Sequence, residues 1–282
     1  MAPPARAGSY DLPTRQSGAI LLTSSTVAAL GERQLIERIR QHLPQTSPDF
    51  VTEGIGDDAA VLAPERGAET VVTTDVMVEG IHFRRDWTSA RAIGHKALAV
   101  NLSDLAAMGA TPRATLLSLV LPSSYPVSDF DELVTGFLAL AERTGTALIG
   151  GNLARSPGPL IVDVTAIGVV RKRRILSRRG ALAGPRLYVT GHVGAAAAGL
   201  HMLQSGRTAD ALTLDEAACV QHHHMPEPRL RFARIVAKTA AASACIDLSD
   251  GLADAATRLA EAGEVSVVLD PTVVPVHPGA RT

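Results

Sequence analysis

The sequence predicts a mixed α/β protein of two domains. Three observations carry this expectation. The 282 residues suffice for two domains of ordinary size, the 46% apolar content supports a real core, and apolar runs switch repeatedly between strand-like and helical spacing. With 3% aromatic residues and 24 glycines, Ala, Val and Leu are expected to fill that core between tight turns.

Residues 1–30 are rich in Pro, Ser, Thr and Gly and read as a flexible extension outside the fold. From Glu32 to Leu43 the apolar positions Leu35, Ile36, Ile39 and Leu43 recur at helical spacing, and Pro44 stops that helix. Strand-like runs follow at 59–62 and 70–74. Residues 90–108 predict a helix with Ile93, Ala97, Val100, Leu105 and Met108 as its apolar set and Gly109 as its stop. On it Asn101 and Asp104, three apart, project from one face. A strand at 116–121, a helix at 130–143, a strand edge at Leu148 and Ile149 running into Gly150-Gly151, and an alternating strand at 160–170 come next. The basic run from Arg171 to Arg174 marks the expected boundary, giving a first domain at 31–172 and a second at 173–282. In the second, a strand at 186–190 enters Gly191-His-Val-Gly194 and a helix at 195–203. Backbone N–H groups at such a turn commonly receive phosphate, although glycine turns serve packing equally well.

Bulk properties exclude several functions. With 27 basic and 28 acidic residues the formal charge is -1, so there is no broad basic field for nucleic acid. No apolar run approaches the roughly 20 residues that cross a bilayer. Cys219 and Cys245, the two cysteines, are too few for a disulfide framework and lack zinc-site spacing, which fits a reducing cytoplasm.

The chemistry concentrates in aspartates. They recur beside small residues in Gly54-Ile-Gly-Asp-Asp58, Thr73-Thr-Asp75, Asn101-Leu-Ser-Asp104 and Asp247-Leu-Ser-Asp-Gly-Leu-Ala-Asp254. Each segment alone also fits a solvated turn or a helix cap; Ser249 or Asp250 can cap a following helix, which leaves Asp247 unexplained. Jointly they point to a polyvalent cation, since uncompensated buried carboxylates cost several kcal/mol each. An all-oxygen set suits magnesium, which usually arrives with phosphates. Of Asp57 and Asp58, one can face a site while the other braces the loop. Arg178 and Arg179 can clamp a phosphate or form a solvated charge run. Lys96 lies two turns before Asp104 on the same helix. Three successive histidines, His222 to His224, cannot converge on a soft metal in regular geometry. There is no serine elbow, reactive-cysteine context or Gly-x4-Gly-Lys-Ser/Thr loop, so phosphoryl transfer would be a direct in-line attack.

These segments, in this order, resemble the thiamine-monophosphate kinases of the aminoimidazole ribonucleotide synthetase-like superfamily. The resemblance runs from about Glu32 onward and is most specific in 54–62, 73–75, 79–83, the helix segment 96–110, Ile149-Gly-Gly151 and 246–252. It implies ATP-dependent phosphorylation of thiamine monophosphate to thiamine diphosphate. Carried over motif by motif, it assigns Asp58, Thr73, Thr74, Asp75, Asp104, Asp247 and Asp250 to several magnesium ions. His82 goes to the thiamine phosphate, and Gly151, Arg178 and Ser249 to the nucleotide. It also implies a homodimer whose N-terminal mixed sheets join into a barrel-like core, with a C-terminal α/β domain packed outside.

Two departures stand out. Asn152 occupies the metal position after Gly150-Gly151 where the family usually has aspartate, so one oxygen donor is kept and a charge lost. The family's later Gly-Gly-Glu-Asp-Tyr-Glu segment does not occur before Thr282, so the resemblance implies an incomplete second domain. Rival readings are a non-catalytic magnesium-nucleotide binding dimer and the purine-pathway synthetase of the same superfamily. Selenophosphate synthetase and the hydrogenase-maturation dehydratase depend on a reactive cysteine or selenocysteine near one end, which this chain lacks.

Overall fold

A computed structural model describes residues 25–281. Of the extension expected at 1–30, residues 1–24 lie outside that range, and the rest is corrected. Val27–Leu30 form helix α1, with Val27 buried, and backbone bonds from Val27 to Tyr125 and from Val127 to Ser25, both 2.9 Å, stitch the segment to the fold. Apolar Val27 and Leu30 pack on the core and outweigh the local turn-like composition.

Helix α2 (Glu32–His42) buries Leu35 and Ile39. A small antiparallel pair follows, β1 (Val51–Glu53) with β2 (Val61–Leu62). The main sheet holds β3 (Glu69–Val78), β4 (Thr111–Pro122), β5 (Ala147–Ser156) and β6 (Ile161–Val170) in the order β3-β6-β4-β5. Only the β4–β5 pair is parallel, and helix α4 (Val127–Thr144) makes its crossover.

Helix α3 (Ala90–Ala107) and α4 pack on one face of this sheet. Ile93, Leu98, Leu102, Leu105, Phe130, Leu133 and Phe137 are completely buried there, each contributing roughly 2 kcal/mol of transfer free energy. Two helical glycines bring α3 and α4 together. A Cβ on Gly94 would lie 1.9 Å from the Leu133 carbonyl oxygen, and one on Gly136 would lie 1.9 Å from that of Arg91. The opposite sheet face is open, with Val72 61% and Val76 49% exposed.

Beyond β6 come helices α5 (Ala195–Gln204), α6 (Leu214–His224), α7 (Leu230–Thr239) and α8 (Leu252–Gly263). Leu230 and Ala233 of α7 join the main core, while Ala195, Met202 and Cys219 form a small separate one. The strand expected at 186–190 does not form, and no strand is assigned among the described residues after Val170. An extended segment needs a ladder neighbour to satisfy its backbone, and this one has none among the described residues: Tyr188 is 80% exposed. Among the described residues the second half is helical, and the chain as a whole is mixed α/β, as expected.

Candidate active site

Alternation along β3 sorts the Thr73-Thr-Asp75 motif between two faces. Thr73 and Asp75 point to the face covered by α3, where Thr73 Oγ1 donates to Asp104 Oδ2 at 2.6 Å. Asp104 sits in the last turn of α3, and its neighbour Ser103 reaches the other way, donating through Oγ to Asp247 Oδ2 at 3.2 Å. Strand, helix and a distant loop thus meet at one place.

Their charges interact. Asp75 holds its proton more tightly than an ordinary carboxyl, first because it is partly buried and then because Asp104 and Asp247 repel its charge, with His82 opposing. Asp247 is raised likewise by burial and by Asp104; the Ser103 hydrogen bond and the nearby Arg178 guanidinium pull it down without prevailing. Negative charge is in excess here.

The basic groups flank this cluster. His82 follows a turn after β3, its Nδ1 accepting from the Val78 N–H at 3.1 Å. Lys96 Nζ donates to the His82 carbonyl at 3.4 Å, and burial lowers the Lys96 pKa. Arg178 opens a short 3-10 turn, Arg178–Gly180. Ser249 is exposed in the loop before α8, whose N-cap is Gly251 with no side-chain cap, so capping explains neither Ser249 nor Asp250.

Other expected ligands stand apart. Thr74 lies on the open sheet face, donating to Asp163 Oδ1 at 3.2 Å and to the Val164 carbonyl at 3.1 Å. Asp163 was not among the sequence candidates, although a lone aspartate in the alternating run Ile161–Val170 was a visible signal. Asn152 is on that open face too, in register with Ser118 and, through it, with Asp163. Gly151 shares the row of Leu117, Val164 and Asp75, about 14 Å from Asp75 over three strand spacings. At φ 155°, with Leu117 O 1.8 Å from any added Cβ, only glycine fits there. Asp250 is exposed and lies 3.7 Å from Arg258. Asp58 is exposed, its N–H bonded to Asp57 Oδ1 at 2.7 Å, and no hydrogen bond links it to Asp75, Asp104 or Asp247; the loop is held by Arg40, which donates to Ile55 O at 2.8 Å. Within the chain, Asp75, Asp104 and Asp247 therefore lie together, with Thr73 and Ser103 around them.

The donor set fits magnesium: it is all oxygen and its carboxylates lack sufficient counter-charge. No three His, Cys, Asp or Glu side chains among the described residues close around a single point.

Comparison with known proteins narrows the reading. Residues 56–170 match the model of "AIR synthase related protein, N-terminal domain". The thiamine-monophosphate kinase of Bacillus subtilis is 37% identical over 80% of this chain and 70% of its own length. That of Synechococcus elongatus is 37% identical over 90% and 76%. The chain belongs to the thiamine-monophosphate kinase family. Among solved structures, the thiamine-monophosphate kinase of Stenotrophomonas maltophilia is 38% identical with a TM-score of 0.78, over 88% of this chain and 77% of that one. AaThiL complexed with AMPPCP and TMP is 30% identical with a TM-score of 0.66, over 84% and 71%. The hydrogenase maturation protein HypE of E. coli, 18% identical at a TM-score of 0.70, shares the fold alone. The matched domain begins at Gly56 and ends with β6.

Proposed function

We propose that this protein transfers the γ-phosphoryl group of ATP to the phosphate of thiamine monophosphate, giving thiamine diphosphate and ADP. The observation that carries the reading is the meeting of Asp75, Asp104 and Asp247 between Arg178 and His82. A relative of 30% identity complexed with an ATP analogue and TMP supports the pair of substrates.

Magnesium bound at these carboxylates would neutralise phosphate charge and polarise the transferring group. The chain's own residues do the rest. Thr73 fixes the Asp104 carboxylate and Ser103 fixes Asp247, so both are oriented before substrate arrives. His82, held through Nδ1, faces the thiamine phosphate, and Arg178 takes a nucleotide phosphate through its guanidinium fork. Gly151 and Ser249 are assigned to the nucleotide. In-line transfer needs positioning and charge stabilisation rather than a nucleophilic side chain.

A homodimer completes the account. β3 and β5 are the two edges of the sheet, and its uncovered face carries Thr74 on one edge and Asn152 on the other. If each β3 edge meets the β5 edge of a second copy, the two sheets close into a barrel with no free edges. Thr74 then approaches Asn152 of the partner subunit, on the sheet face opposite Asp75. Asp58 and Asp250 belong to this proposal only if their exposed loops turn inward when substrates bind. The two free thiols, Cys219 and Cys245, suit a reducing cytoplasm. Titration with a non-hydrolysable ATP analogue tests the site: binding should need magnesium and weaken in Asp247→Asn, and magnesium-independent binding would refute it.

A further inference from the structure

Six basic side chains surround a cleft of about 520 Å³ that Asp75, Asp104 and Asp247 do not line. Arg113 enters from β4, Arg171 and Arg174 from the segment after β6, and Arg231, Arg234 and Lys238 from α7. Glu65 is its one lining carboxylate among the described residues, engaged by Arg113 at 3.0 Å. The other five cations have no ion pair among the described residues.

Six cations against one carboxylate give a formal charge of +5 at one place, on a chain whose total is -1. Composition alone does not produce this. Arg231, Arg234 and Lys238 recur at helical spacing on one face of α7 while Leu230 and Ala233 face the core. Like charges so spaced destabilise a helix, and a cleft lined by one sign concentrates anions. Guanidinium groups match phosphate oxygens two at a time. Among the described residues no aromatic ring lines the cleft, so they offer no platform on which a base can stack.

We propose that this cleft binds a small molecule carrying two or more linked phosphates, at a site distinct from the carboxylate cluster. The cations come from three separate elements, so an extended polyphosphate reaches more of them than a single phosphate does. The proposal does not depend on the kinase reading.

Inorganic tripolyphosphate is the probe, titrated calorimetrically into the full chain in EDTA so that magnesium does not bridge it to the aspartates. The wild type should show saturable binding that weakens as salt rises and is at least about tenfold tighter than binding of orthophosphate. R231Q/R234Q/K238Q should bind at least about tenfold more weakly, while Asp104→Asn should bind as the wild type does. Glu65→Gln, which frees Arg113, should tighten binding and serves as the test should the triple variant misfold. Absence of saturable binding, an unchanged triple variant, or weakening by Glu65→Gln would overturn the proposal.

Discussion

Thr73 and Asp104 are joined by a 2.6 Å hydrogen bond that ties the edge strand β3 to the last turn of α3. The hydroxyl donates and so fixes the direction of the carboxylate oxygens. Thr73→Val keeps the shape and removes the donor. Loss of such a bond costs about 1 kcal/mol of stability, and turnover should fall about tenfold through a misdirected Asp104. Steady-state kinetics beside a melting curve separates the two effects.

The repulsion around Asp75 makes a second, less intuitive expectation. Its folded pKa lies above the ordinary 3.8, so the folded state binds protons more readily and loses stability as pH rises past that value. Asp75→Asn should raise the melting temperature of the metal-free protein at neutral pH, with the gain vanishing below about pH 3.8. The same change should lower turnover by ~100-fold or more. A variant both less stable and fully active would contradict the charge excess assigned to this site.

Acid should act oppositely at α6. Glu216 is held down to about 2, chiefly by its hydrogen bonds from Arg207 and then from the Thr213 backbone N–H. Its folded pKa is depressed, so its stabilisation is complete above the ordinary 4.5 and is lost as pH falls toward 2. Glu216→Gln should melt below the wild type at pH 7 and converge with it near pH 2. Thermal melts across that range decide it.

Gly94→Ala places a methyl 1.9 Å from the Leu133 carbonyl oxygen, where backbone must shift. Overpacking of this kind costs about 1–3 kcal/mol, despite alanine's better helix propensity. Chemical denaturation should show a lower midpoint, and an unchanged midpoint would mean that α3 and α4 are less tightly joined.

Much of the first half was legible. Periodicity located α2, α3, α4 and the principal strands, because each buries one regular face. Pattern reading failed where context governs. The 186–190 segment has a strand's composition but no neighbour to pair with, and residues 25–30 look like a linker yet are recruited by contacts about 100 residues away. At the site, the motifs pointed to Asp75, Asp104 and Asp247 without showing which residues share a face. Sheet alternation sends Thr74 and Asn152 to the side opposite Thr73 and Asp75, and Asp163 came forward only once β6 lay beside β3.

The most direct test is chromatographic. Purified protein is incubated with ATP, magnesium and thiamine monophosphate, alongside Asp104→Asn. Thiamine diphosphate should accumulate with equimolar ADP in the wild type and about 100-fold more slowly in the variant. Product formed equally by both, or by neither, would contradict the central claim.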